Sequence, residues 1–205
     1  MSRAKEDAVR RRFLRQKWLN GVRAKPGPQG LRLVLDHLKP DFNVGKIFRS
    51  ADAFGVREVL LVGIPWFDPG PAVGSFRHVP ARFFDTFAQA HAALAAEGVA
   101  MFNLEVDAVA ALPGAELPRE CALVLGNEGV GQSFRRADFP GVGALRIPQW
   151  GRAQSLNVSI AGSLGMYEYC RRWAADPGPG GLPDRNRQKY APALAGGNRM
   201  SVSAP

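Results

Sequence analysis

Three short strings hold the residue types that could position a ligand or a reacting hydroxyl. The first is Asp41-Phe42-Asn43-Val44-Gly45-Lys46-Ile47-Phe48-Arg49. Arg49 follows Gly45 by one helical turn, and a glycine beneath an arginine leaves backbone open to a phosphate or a ribose. The simpler reading keeps Asn43 as a helix cap and Arg49 as a solvated surface group. The second string, Leu125-Gly126-Asn127-Glu128-Gly129-Val130-Gly131, closes an apolar run. Glycines around a lone carboxylate describe a sharply turning loop that lies close to a ligand. It lacks the Lys-Ser/Thr ending of a phosphate-cradling loop and the GxGxxG spacing of a dinucleotide fold, so neither ATP nor NAD is indicated. The third runs from Ile147-Pro148 through Gly151 to Ser155-Leu156-Asn157. Ser155 is expected to open a long helix with Leu156, Ile160, Leu164 and Tyr167 on its buried face, leaving Ser155 and Asn157 at the loop end.

These strings need a scaffold that brings loop ends together. Apolar runs at 31–35, 59–62, 99–104, 122–125 and 144–147 read as buried strands, and helical segments are expected near 44–54, 86–96, 131–137 and 155–173. Such alternation predicts an α/β domain with a mostly parallel sheet and helices on both faces. In sheets of that kind ligands bind beyond the carboxyl ends of the strands, where all three strings fall. From Glu6 to Asn20 the chain reads as an amphipathic basic helix using Val9, Phe13, Leu14 and Trp18, ended by Gly21 and the Pro26–Gly30 stretch. The Pro-, Gly- and Asn-rich residues 176–205 are expected to be disordered.

With 205 residues, 46% of them hydrophobic, the chain can bury one substantial core. The domain reading is therefore a basic helical extension over 1–25, one α/β domain over 31–173 and the tail. The formal net charge of +9 lies wholly outside the body: residues 1–25 carry +7 and residues 176–205 carry +2. A neutral body with a basic extension suits a protein that gathers a polyanion; a charged helix that only maintains solubility is the alternative. Cys121 and Cys170 form no CxxC pair, so neither a disulfide framework nor a zinc site is suggested. No apolar run reaches the roughly 18 residues of a membrane span, and a cytoplasmic protein that binds no membrane and no metal is expected.

In their order and at their strand-to-loop junctions, the three strings resemble the signature motifs of the SpoU (TrmH) family of RNA ribose 2′-O-methyltransferases, within the SPOUT superfamily. The resemblance covers residues 31–173. It implies a C-terminal part threaded into a deep trefoil knot, an exception to the unknotted norm, and a homodimer. It also implies S-adenosyl-L-methionine as cofactor, held by Leu125, Gly126, Asn127, Gly129, Ile147, Ser155 and Leu156. Asn43, Arg49, Glu128, Ser155 and Asn157 are then the catalytic set, and a ribose 2′-hydroxyl in structured RNA is the acceptor. Transfer RNA is the expected substrate, with ribosomal RNA as the alternative; a non-catalytic RNA-binding protein on the same fold is a reading from another class.

His37, His78 and His91 lie outside the strings, so no histidine is expected to be placed to act as base. A guanidinium only donates hydrogen bonds, so Arg49 is expected to clamp the phosphate beside the target ribose and stabilise alkoxide charge while a phosphate oxygen or solvent takes the proton. The sequence departs from the family pattern at Asp41-Phe42, where many relatives carry Pro-His, and at Trp150, where a smaller residue is usual. Trp150 either stacks on an unpaired base or packs internally. Deleting residues 1–20 is expected to weaken RNA binding and flatten its salt dependence without affecting the cofactor.

Overall fold

The computed structural model describes residues 3–175, so the disorder expected for 176–205 lies outside the described residues. Six strands, β1 (Leu31–Asp36), β2 (Glu58–Val62), β3 (Ala81–Phe84), β4 (Ala100–Leu104), β5 (Cys121–Leu125) and β6 (Val142–Leu145), form one sheet. Their order is β3-β2-β1-β5-β4-β6, and all five pairings are parallel. Among the described residues four helices accompany it: α1 (Arg3–Arg23), α2 (Phe42–Ala53), α3 (Phe87–Ala96) and α4 (Val158–Trp173).

The central strands β1 and β5 are buried along their whole length, as unbroken aliphatic runs in a two-sided parallel sheet must be. Side chains alternate between the faces. Leu33, Leu35, Leu123 and Leu125 pack with Ile47 and Phe48 of α2 and Met166 and Tyr169 of α4, while Val34 and Val124 meet Phe87, Ala90 and Leu94 of α3 on the other face. From β1 the chain winds outward through β2 and β3; on the other side, β5 connects outward past β4 to β6. The crevice between the carboxyl ends of β1 and β5 is therefore a topological switch point, the place such sheets offer to a ligand.

The basic helix α1 is docked on this body. Phe13, buried, lies 5.4 Å from Phe67 and 5.8 Å from Phe76 between ring centroids, and Asn20 donates its side-chain amide to the carbonyls of Phe76 and Val79, the latter at 2.7 Å. Leu14 and Trp18, expected to share the apolar stripe with Phe13, are instead 63% and 67% exposed. The helix also runs past Gly21 to Arg23.

Other local expectations give way to packing. No helix forms over 131–137; only a short 3-10 turn at Arg136–Asp138 is present, because Ser133 is drawn toward the sheet by Asp36. The last strand lies two residues earlier than its apolar run suggested, and β3, four half-buried residues at an edge, carries too short a pattern to be read. Helix α4 starts at Val158, capped by Asn157 rather than by Ser155. Its buried face is also rotated: Val158, Gly162, Gly165, Met166 and Tyr169 face the core, whereas Ile160, Leu164 and Tyr167 are exposed. Two glycines explain the rotation, since a Cβ at Gly162 or Gly165 would stand 2.9 Å and 2.6 Å from Leu125 and Leu123. Close approach of helix to sheet fixes which side turns inward.

Candidate active site

The switch-point crevice is built by loops that follow β1, β4, β5 and β6. At the end of β1 the fully buried Asp36 carboxylate accepts from Ser133 backbone N–H at 2.6 Å, from its hydroxyl at 2.8 Å, and meets His37 Nδ1 at 2.8 Å. One carboxylate thereby ties the loop after β5 to the strand beside it, satisfying its own buried oxygens.

That loop is closed on itself. Asn127 and Gly131 exchange backbone hydrogen bonds at 2.7 and 2.9 Å, Asn127 Oδ1 accepts from Gly129 N–H at 2.8 Å, and Asn127 Nδ2 donates to the His37 carbonyl at 2.7 Å. Gly126 is required by contact, because a Cβ there would stand 2.8 Å from the Gly131 carbonyl carbon. Asn127 thus acts as the internal brace of the loop, and Glu128 at its tip is left exposed.

Asn43 does not cap its helix. Asp41 does so, accepting from Asn43 N–H, which frees the Asn43 side chain. Asn43 Nδ2 donates to Glu128 Oε1 at 2.7 Å, and Asn43 Oδ1 accepts from Asn157 Nδ2 at 3.2 Å. Asn157 Oδ1 in turn accepts from Ser159 N–H at 2.9 Å and its hydroxyl at 2.6 Å, so capping of α4 sets the direction of the amide. Residues 43, 128 and 157, one from each sequence string, form a single hydrogen-bonded chain.

Behind this chain lies a cleft of about 660 Å³, a size suited to a nucleoside-sized ligand. Leu125, Gly126, Asn127, Gly129, Ile147, Ser155 and Leu156 all line it, together with Glu128 and Asn157. The sequence reading missed Glu105, Asp107 and Gln149, which also line it. The first two leave the end of β4, a position that marks them as candidates once strand order is known. Gln149 Oε1 is buried without a hydrogen-bond partner, an orphan acceptor that a ligand donor would satisfy. Acidic groups and an orphan acceptor around an apolar floor fit a ligand carrying positive charge and N–H donors.

Arg49 stands apart. It is exposed on α2, has no ion-pair partner among the described residues and does not line the cleft. The backbone at Gly45 is likewise closed to ligands: it is buried, with a Cβ there 3.0 Å from Ala72 N, so this glycine serves helix-to-loop packing. Ser155 is exposed at the cleft wall.

Comparison with known proteins bears on the same residues. Residues 30–167 match the model of the SpoU rRNA Methylase family. The chain is 34% identical over 157 residues to the 23S rRNA (guanosine-2'-O-)-methyltransferase RlmB of Coxiella burnetii, covering 73% of this chain and 61% of that protein. The chain thus spans about three fifths of that relative's length. Among solved structures, the A. aeolicus TrmH/SpoU tRNA modifying enzyme superposes with a TM-score of 0.65 at 25% identity, covering 88% of this chain and 94% of that one. An AdoMet-bound rRNA methyltransferase from Sinorhizobium meliloti superposes with a TM-score of 0.64 at 25% identity, covering 77% and 61%.

Proposed function

The chain belongs to the SpoU RNA methylase family, and from that premise we propose that it methylates a ribose 2′-hydroxyl in structured RNA using S-adenosyl-L-methionine. The observation that carries the proposal is the Asn43–Glu128–Asn157 chain, assembled from the first turn of α2, the loop after β5 and the cap of α4 at the mouth of the 660 Å³ cleft. The cleft fits this cofactor: Glu105 and Asp107 suit its positive charge, and Gln149 Oε1 suits an N–H donor. Leu125, Gly126, Asn127, Gly129, Ile147, Ser155 and Leu156 would hold it. When bound, S-adenosyl-L-methionine supplies an electrophilic methyl group on sulfonium.

Methyl transfer to a ribose oxygen would require the site residues to align that oxygen with the donor and to let the hydroxyl proton leave. Asn43, held between Glu128 and Asn157, orients the sugar at the mouth. Glu128 fixes Asn43 with the oxygen Asn43 reaches, and Ser155 completes the wall. Arg49, six residues beyond Asn43 on α2, exposed and without an ion-pair partner among the described residues, clamps the adjacent phosphate when RNA arrives, and a phosphate oxygen or solvent takes the proton. An Arg49→Lys variant with near-full activity would overturn that assignment.

A homodimer is part of the proposal, supported by the exposed apolar face of α4, where Ile160 is 51%, Leu164 40% and Tyr167 57% exposed. A knotted C-terminal segment is supported by the parallel bridge of Ala111 to Arg146 and by Arg172, which donates to the carbonyls of Leu112, Pro113 and Ala115 and so ties the end of α4 under the 111–117 segment. Trp150 is 92% exposed beside the cleft, which favours stacking on an unpaired base over internal packing. No helix among the described residues is long and apolar enough to cross a membrane, and a cytoplasmic location is part of the same reading. Transfer RNA is the proposed substrate, with ribosomal RNA as the other outcome. Mass-spectrometric mapping of ribose methylation in total RNA from cells with and without the gene tests the whole reading: loss of one 2′-O-methyl nucleotide supports it and names the RNA. An unchanged map, with no uptake of S-adenosyl-L-methionine by calorimetry, overturns it.

A further inference from the structure

A second cavity, of about 500 Å³, lies between α1 and the 3-10 turn Ser75–Arg77. Its lining is Arg11, Arg12, Arg15, Gln16, Leu19 and Arg77, four guanidinium groups and no carboxylate. Arg77 is turned toward α1 over Gly74, whose φ of 93° and lack of a side chain permit it; a Cβ there would meet Arg77 Nη2 at 2.7 Å. Among the described residues the only carboxylate paired with these arginines is Asp68, 3.8 Å from Arg12, in a pair whose side chains are 56% and 28% exposed. Such a pair in open water neutralises little. Of the residues lining the cavity, Arg77 and Gln16 carry buried polar atoms, Nε and Oε1, with no hydrogen-bond partner among the described residues. The Gln16 amide can be turned to present its NH₂, and two residues lining one cavity then each carry a buried donor without a partner.

A cluster serving only structure would be neutralised as Arg32 is, by carboxylates within hydrogen-bond reach. This one repels itself until an anion enters. We propose that the α1 pocket seats a phosphate of the RNA backbone, outside the methyl-transfer cleft; the identification of the anion rests on the RNA reading above. Arginine forks match phosphate oxygens in pairs, and the neighbouring outer face of α1 presents Trp18, 67% exposed, as a surface on which a base of the same strand stacks. Free phosphate has the same charge chemistry, so the test separates the two.

Deleting residues 1–20 no longer isolates RNA binding, because it would also remove Phe13 from the core. Point variants of the full chain do. Arg77→Ala, and separately the exposed pair Arg11→Glu with Arg15→Glu, are titrated by fluorescence anisotropy against a transfer-RNA transcript over a series of KCl concentrations. Each variant is expected to bind at least about tenfold more weakly, with the salt slope of log K reduced by about 0.7–0.9 for each phosphate that is no longer neutralised. Calorimetric affinity for S-adenosyl-L-methionine stays unchanged, and any methyl transfer suffers in KM for RNA rather than in kcat. Wild-type affinity and slope in both variants would overturn the proposal. So would inorganic phosphate that saturates the wild-type chain in the micromolar range without displacing RNA, which would make the pocket a small-anion site. Should the chain transfer no methyl group while these variants still lose RNA, the methyltransferase reading fails and the pocket assignment stands.

Discussion

The two ends of the sheet use similar residues for opposite purposes. At the amino end, Arg32 is 5% exposed and paired with Glu58 at 3.2 Å, Glu97 at 3.3 Å and Glu120 at 2.6 Å, while Arg82 reaches the first two of these carboxylates. The end of α4 closes the same edge, where Tyr169 hydroxyl accepts from Gly30 N–H at 3.1 Å and donates to the Arg119 carbonyl at 2.6 Å. The buried Arg32 guanidinium and the Tyr169 hydroxyl there are both answered by the protein. At the carboxyl end, Glu128 and Asn157 are exposed, and among the described residues Arg49 has no ion-pair partner and Gln149 Oε1 is an orphan. One edge is saturated and holds the strands in register; the other is braced from behind by Asp36 and Asn127 and keeps its outward valences for a ligand.

Arg32→Ala should break the saturated edge. It leaves Glu58 and Glu97 with Arg82 alone and the half-exposed Glu120 without its partner, so the cost falls at the lower end of the roughly 3–5 kcal/mol lost when a buried ion pair is broken. Urea unfolding should show that loss, while the activity of the molecules still folded stays near wild type. A loss of activity out of proportion to unfolding would mean that the amino edge also shapes the cleft.

The mirror experiment is Asn43→Ala at the open edge. Methyl transfer is expected to fall about 10²–10³-fold, the effect of removing one positioned polar group from a transition state. Stability should change by less than about 1 kcal/mol, because the Asn43–Glu128 bond is exposed and its partners can turn to water. Equal destabilisation by Asn43→Ala and Arg32→Ala in the same urea series would erase the distinction between the edges.

The sequence shows why one edge was easier to read than the other. Unbroken aliphatic runs made β1, β2 and β5 legible, and glycines crowded around Glu128 marked the loop at the open edge. The saturated edge left no local trace: Arg32, Glu58, Glu97 and Glu120 come from four places in the chain, and only strand register brings them together. Three site details were also invisible. The α2 cap passed to Asp41 because the Asn43 side chain is taken up by Glu128 and Asn157 across the fold, and Asn157 caps α4 with its Oδ1 while its Nδ2 reaches Asn43. The inward face of α4 was set by Gly162 and Gly165 rather than by its larger apolar residues, because close approach to Leu123 and Leu125 outweighed their burial. The role of Gly45 was set by its packing against the 68–72 segment, which no spacing rule contains.

A smaller effect is expected within the open edge from Gly126→Ala. The added methyl would press on the backbone of Gly131 and Gln132 at 2.8–2.9 Å, so the loop must shift at the point where it faces the cleft. Overpacking of this kind costs about 1–3 kcal/mol. Part of that should appear as weaker cofactor uptake by calorimetry, with RNA affinity unchanged. Unaltered uptake would show that the 126–131 loop only closes the sheet and does not grip the ligand.

The smallest effect separates the edges by pH. The hydrogen bond from Arg171 holds the Glu168 carboxyl below its ordinary value; burial opposes it, and the hydrogen bond from Arg172 adds to the lowering. A carboxylate depressed in the folded state stabilises the fold fully above the unfolded value of about 4.5 and loses that contribution as pH falls toward the folded value. Thermal melts of the wild-type chain should therefore decline below about pH 4.5, and Glu168→Gln should remove part of the decline, worth less than about 1 kcal/mol. At neutral pH the variant should melt slightly lower, because the charge is gone while the arginines remain. Methyl transfer between pH 6 and 8 should not notice the change, since Glu168 sits where α4 ends and the cleft opens where α4 begins. A shifted pH–rate profile in that range would show that the saturated edge reaches the reaction through α4, and the two ends of the sheet would have to be treated as one coupled unit.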